Sequence, residues 1–383
     1  MKMRMVEALD QSRFHETKAF MRKLWRGEMR GALAYVVPSP QEVMPETVEP
    51  DGDGYAERFA AMVINGLMRR RWGHDYGVPI IQPSCKYGGG GIISTAYGSR
   101  YDEGHHHTAP CIQSASQIDR LNLHPTLNDG ALADGLNMIR YLVQATEGKL
   151  PIQMWNAGGP MDLASMVVWD TALLGDLHEY PQHVHRLLES CTELYISFYK
   201  AQQEIVPEWV PSIADDMWVP AGEGILCGED WLSVMSPQLA LAFEVPYLNM
   251  ISDAFGGIAI HACGNLAPQF EVLKKHVRNL RGIYFNAGEC SFKAAVDAFH
   301  GTDVVLMPRW ALNAPFAYAS RLDFAQRLLD MKTDDVTVYL IVSPCADSRI
   351  GWEENAFLAS EGIVQYIENY VQGFPVHGTS REG

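Results

Sequence analysis

The sequence predicts one α/β domain folded as a (β/α)8 barrel, the TIM-barrel class, with an N-terminal helical extension. Three observations carry this expectation. Short apolar runs bounded by Gly, Pro or Asp recur along the chain, which is how strands buried on both faces read. Longer stretches with apolar residues at helical spacing lie between them. No G-x-G-x-x-G signature of a doubly wound nucleotide-binding sheet follows the first run, and the glycines at 88–91 lack the Lys-Ser/Thr of a phosphate loop. Strands alternating with helices then favour a closed parallel barrel over an open sheet.

The predicted strands are 32–38 (ALAYVVP), 78–83 (VPIIQP), 150–155 (LPIQMW), 209–214 (WVPSIA), 257–261 (GIAIH), 282–286 (GIYFN), 303–307 (DVVLM) and 337–342 (TVYLIV). The clearest predicted helix spans 181–206. Val184, Leu187, Leu188, Cys191, Leu194, Phe198, Ala201 and Ile205 recur on one face, and Pro181 suits a first turn. A second helix is expected after Pro237, ending before Gly256, and a third over 354–370. Residues 1–30 are read as the helical extension and 31–375 as the barrel.

A hydrophobic content of 47% over 383 residues supports a large core. The net charge of −16 argues against nucleic acid and against anionic membranes as partners. The first 30 residues hold no apolar leader, and no apolar run is long enough to span a bilayer, so a cytoplasmic location is expected. Seven cysteines, an odd number, point to free, buried or metal-bound thiols rather than disulfides.

The sharpest local signal is Ile260-His261-Ala262-Cys263-Gly264-Asn265. Residues two apart in an extended segment project to one side, and this pair closes a predicted strand. Barrel active sites lie at that C-terminal end. Imidazole nitrogen and thiolate sulfur are a natural zinc pair. Cys345, within Ser343-Pro344-Cys345, follows the last predicted strand and adds a third soft ligand. Three ligands with an open fourth position describe a catalytic zinc. Glu289 and Cys290 are the leading candidates for a resting fourth ligand, with Glu223, Cys227 and Glu229 behind them.

The segment IAIHACGNLAPQFEVL resembles the H-x-C-G-N motif of the uroporphyrinogen decarboxylase-like superfamily, in its branch of zinc-dependent corrinoid methyltransferases. The resemblance extends over GVPIIQP, TAYGSRY, TEGKLPIQMWNAGGPMDLASMV, MSPQLALAFEVPYLNMI and SPCADSRIGWEENAF, roughly residues 77–370. It implies a (β/α)8 barrel, Zn2+ on His261, Cys263 and Cys345, and a corrinoid (cobalamin) delivered by a partner corrinoid protein. The chain itself shows no D-x-H-x-x-G cobalamin segment. The decarboxylases grip substrate carboxylates with N-terminal arginines, and ALAYVVPSP has none, so porphyrinogen decarboxylation is not expected.

Two directions of methyl transfer fit such a site. In O-demethylation a methoxylated aromatic gives its methyl to cob(I)alamin while the metal stabilises leaving-group charge. In the reverse sense methylcobalamin methylates an activated thiol such as coenzyme M. The first is favoured by aromatic and polar residues expected at the mouth: Trp155, Asn156, Trp218, Tyr284, Trp310 and Asn313, with Arg309 to hold a carboxylate. Asp215, beside Asp216, is a candidate general base, and Asp347 a candidate to orient Cys345. His105-His106-His107 reads as loop or lid. The rival classes are a metal-independent lyase and a non-catalytic ligand-binding barrel.

Overall fold

The computed structural model describes residues 11–36, 56–57, 59–61, 63, 75–83, 91–102, 107–214, 216–310, 318–342, 365–367 and 369–370. Six parallel strands form one sheet: β1 (Leu33–Val36), β6 (Ile225–Gly228), β7 (Ile258–Ala262), β8 (Leu280–Asn286), β9 (Val305–Arg309) and β10 (Val338–Ile341), in the order β1-β10-β9-β8-β7-β6. β2 (Arg100–Asp102) and β3 (His107–Ala109) make a separate antiparallel pair, so His107 opens a strand. β4 (Ile152–Gln153) and β5 (Trp209–Val210) pair in parallel.

Main-chain hydrogen bonds carry the ring round from β1 to β6. Tyr76 N–H donates to the Tyr35 carbonyl, Gln153 N–H to Ile81, Met154 N–H to Val210, and Leu226 N–H to Pro211. Ile81 bridges Ile152, and Gly158 bridges Gly228. The ring therefore runs through β1, the 78–82 segment, β4, β5 and β6 to β10, with β5 paired along both residues of β4 and joined to β6 by the Leu226–Pro211 bond. This bears out the TIM-barrel expectation and adds one strand to it. The predicted 209–214 strand is present as β5, over Trp209–Val210, and Ile225–Gly228 is a further strand, not among those predicted. That strand is four residues long and follows a Gly-rich turn shortly after the longer 209–214 run.

Side-chain alternation separates two cores. Ala34, Val36, Leu226, Ala259, Tyr284, Val305, Met307, Tyr339 and Ile341 point inward as one cluster. Ile225, Cys227, Ile258, Ile260, Ile283, Phe285, Leu306, Val338 and Leu340 point outward into the helix-facing core. The helix Pro181–Ile205 packs there as predicted, through Val184, Leu187, Leu188, Cys191, Leu194 and Phe198. The helix expected after Pro237 is two helices, Pro237–Phe243 and Val245–Phe255. Pro246 lacks the N–H that a continuous helix needs at that turn, so the chain breaks at Glu244. Of the predicted 354–370 helix, residues 365–367 and 369–370 are helical and the rest lies outside the described residues.

The N-terminal helix Gln11–Trp25 caps the opposite end of the barrel. Phe14, Met21, Leu24 and Trp25 join the inward cluster with Met217, Trp218 and Val219. Lys18 pairs with Glu208, Arg26 with Glu223 and Arg30 with Asp303, all acids just ahead of strand starts. No helix among the described residues is long and apolar enough to cross a membrane.

Candidate metal centre

β7 delivers the site. Register pairs Gly228 with His261 and His261 with Tyr284, and Asn286 with Arg309, so the C-terminal ends of β6 to β9 face one another across the mouth. Inward alternation brings His261, Tyr284 and Arg309 to the same side. His261 Nδ1 lies 3.2 Å from the Tyr284 carbonyl. A carbonyl only accepts, so Nδ1 carries the proton and the Nε2 lone pair is left for a ligand. Burial holds the imidazole pKa below its usual value, which favours the neutral, coordinating form.

Cys263 Sγ sits 3.5 Å from His261 Nε2. Asp230, in the loop after β6, completes the group: its Oδ1 lies 4.0 Å from His261 Nε2 and accepts the Cys263 N–H at 2.6 Å. One ligand atom from each of Asp230, His261 and Cys263 falls within 4.8 Å of the others. Tetrahedral zinc with bonds near 2.0–2.3 Å requires ligand atoms about 3.3–3.8 Å apart, and N, S and O donors are its usual set. The residues present fit the ion. Without one, burial and the negative charges of Asp230 and Glu289 push the Cys263 thiol up to about 12. A cation is what would draw that proton off.

Glu289 stands beside the group. Its Oε2 accepts from Gly264 N–H at 2.9 Å and from Asn286 Nδ2 at 2.8 Å, and Asn286 Nδ2 lies 4.0 Å from Cys263 Sγ. Gly264 has φ +82°, a conformation suited to glycine, and this lets the chain turn back so that its amide faces Glu289. Arg309 Nη1 donates to the Tyr284 hydroxyl at 3.2 Å, and the Tyr284 ring packs 4.3 Å from the His261 ring. This sets a guanidinium beside the metal group.

Several expected site residues lie elsewhere. Trp155 is fully buried in the helix-facing core, its ring against Gly135 and its carbonyl held by the Tyr199 hydroxyl. Trp310 packs its ring on Phe324 and Tyr318 in the same layer. Trp218 lies at the far end under Lys18 and Arg22. Odd-numbered offset along the strand turns the first two rings outward, away from the mouth. Asn156 is exposed. Cys227 and Cys290 are buried, Glu223 pairs with Arg26, and Glu229 accepts helix amides, so none of these four joins the group. Asp215, Asn313, Cys345, Asp347, His105 and His106 lie outside the described residues. Asp230 was missed because its strand was missed; ILCG-Glu-Asp, an apolar run ending in acids, is the signal that points to it.

A family profile for uroporphyrinogen decarboxylase (URO-D) matches residues 93–287. No curated protein sequence matches the chain. Among solved structures, a methyltransferase from Methanosarcina mazei shares the fold, with a TM-score of 0.59 and 17% identity over 90% of this chain and 97% of that one.

Proposed function

This chain belongs to the uroporphyrinogen decarboxylase (URO-D) family, and from that premise we propose that it is a zinc-dependent methyltransferase. It moves a methyl group between a small-molecule donor, such as a methoxylated aromatic, and a corrinoid carried by a partner protein. The observation that carries this reading is the convergence of His261 Nε2, Cys263 Sγ and an Asp230 carboxylate oxygen at the barrel mouth. A lyase of this fold that grips carboxylates with N-terminal arginines has no such need of a nitrogen, sulfur and oxygen donor set, and residues 32–40 hold no arginine. The shared fold with a solved methyltransferase adds support.

In this reading His261, Cys263 and Asp230 hold the zinc, with Cys345 as a further thiolate ligand. Bound there, zinc supplies a Lewis acid that stabilises negative charge on the heteroatom that loses or gains the methyl. The Nδ1 proton, held on the Tyr284 carbonyl, fixes the imidazole tautomer. Glu289 fixes the Gly264 amide and the Asn286 side chain beside the sulfur. Arg309, braced by the Tyr284 hydroxyl, presents its guanidinium to an anionic group of the substrate. The placement of Trp155 and Trp310 away from the mouth favours a second reading, methylation of a small thiol such as coenzyme M, which needs no aromatic wall.

Metal content of anaerobically purified wild type and Cys263→Ala tests the proposal. About one zinc per chain is expected in wild type and none in the variant, which lacks the Cys263 thiolate. Methyl transfer from methoxylated aromatics to cob(I)alamin, or from methylcobalamin to thiols, then separates the two readings. Wild type free of zinc overturns both.

A further inference from the structure

The turn Asn156-Ala157-Gly158-Gly159-Pro160 leads from β4 into the helix Pro160–Val167 and lies directly behind Asp230. Two carboxylates are exchanged across this junction. Glu229 Oε1 accepts the Met161 N–H and its Oε2 the Asp162 N–H, both at 3.3 Å. In return Asp162 Oδ2 accepts the Asp230 N–H at 3.2 Å, and its Oδ1 the Trp231 N–H at 3.3 Å. Met161 and Asp162 are first-turn residues, whose amides have no acceptor inside their own helix. The clasp is tight: a Cβ on Gly159 would lie 2.3 Å from Glu229 Oε1 and 2.6 Å from Cys227 Sγ. A Cβ on Gly158 would lie 2.5 Å from the Asp162 Cβ. The chain of contacts runs on from Asp230 to the Cys263 amide.

We propose that Asp162 is a positioning residue for the metal centre: its carboxylate fixes the main chain at Asp230 and Trp231, and so aims the Asp230 carboxylate at His261 and Cys263. The proposal rests on the metal reading above and deepens it. Asp162 touches neither metal nor substrate. Its effect passes through one peptide unit, because an Asp230 side chain on an unanchored loop loses the 4.0 Å approach to His261 Nε2.

The test uses full-length protein with Asp162→Asn and Asp162→Ala. Asn has the shape of Asp but places an NH2 opposite one of the two backbone N–H donors. Two measurements are made. Hydrogen exchange by mass spectrometry, on metal-free protein, is expected to speed up at Asp230 and Trp231 in both variants. Co2+ titration is expected to show affinity reduced about 10- to 100-fold, the usual effect of losing an outer-sphere partner, with altered visible d–d bands. Circular dichroism verifies the fold; if Asp162→Ala unfolds, the isosteric Asn variant decides. A folded Asp162→Asn with wild-type exchange, spectrum and Co2+ affinity overturns the proposal and leaves the metal site standing. A wild type that binds no Co2+ overturns the metal site and the proposal together.

Discussion

Glu244 is fully buried, with its carboxyl set against that of Glu229. Burial raises its pKa well above the usual carboxylate range, and the nearby Asp162 raises it further. Glu229, beside it, is raised by burial and by Glu244, and Asp162 is raised by burial and by Asp230 to about 7. The folded chain thus holds the Glu244 proton more tightly than the unfolded chain does. Its contribution to stability is complete below the unfolded value, about 4.3, and is lost as pH rises toward the folded value, at up to about 1.4 kcal/mol per pH unit. Glu244→Gln is neutral at every pH. Denaturant unfolding of metal-free protein is expected to show the variant gaining on wild type between pH 5 and pH 8. A variant that loses ground over that range overturns this account.

At the scale of elements, short connections set the site. The Gly158-Gly159 turn lets the helix Pro160–Val167 approach β6, and Gly159 N–H donates to the Gly228 carbonyl at 2.6 Å. Gly159→Ala forces a methyl against Glu229 and Cys227, and overpacking of this kind costs about 1–3 kcal/mol. The expected outcome is a melting temperature several degrees lower together with weaker metal binding, because Glu229 and the Asp162 clasp move as one. A Gly159→Ala protein with wild-type stability contradicts the close approach. The same scale explains the divided helix over residues 237–255: its apolar pattern is continuous, but Pro246 forbids one of the hydrogen bonds, and Glu244 at the break turns into the carboxyl cluster.

Across the whole molecule the two ends of the barrel do different work. The mouth carries His261, Cys263, Asp230 and Arg309, while the helix Gln11–Trp25 seals the far end. Met21 is fully buried there in the inward cluster. Met21→Ala is expected to cost about 2–5 kcal/mol through lost burial and the cavity it leaves. Zinc affinity of the folded variant is expected to stay at the wild-type value, since the barrel strands separate the two ends. Calorimetry and a chelator competition check the two halves; a variant that loses metal while still folded shows the ends to be coupled.

The amino-acid sequence by itself determined the alternation of apolar runs and helices, and hence the barrel. It also determined the H-x-C pair, since two residues apart on a strand end must project together. The acidic composition and the missing arginines over 32–40 are equally properties of the chain alone. Tertiary structure decided that a further strand, β6, follows β5, because its pairing with β7 is a matter of hydrogen-bond register. It also decided the third member of the metal group. Asp230 lies 31 positions before His261 in sequence, and only the pairing of Gly228 with His261 brings their side chains together. The aromatic residues Trp155 and Trp310 went the other way: each stands at the end of a strand segment, but strand alternation turns their rings into the helix layer. Which face of a strand a residue takes is set by register, and register is a property of the assembled sheet.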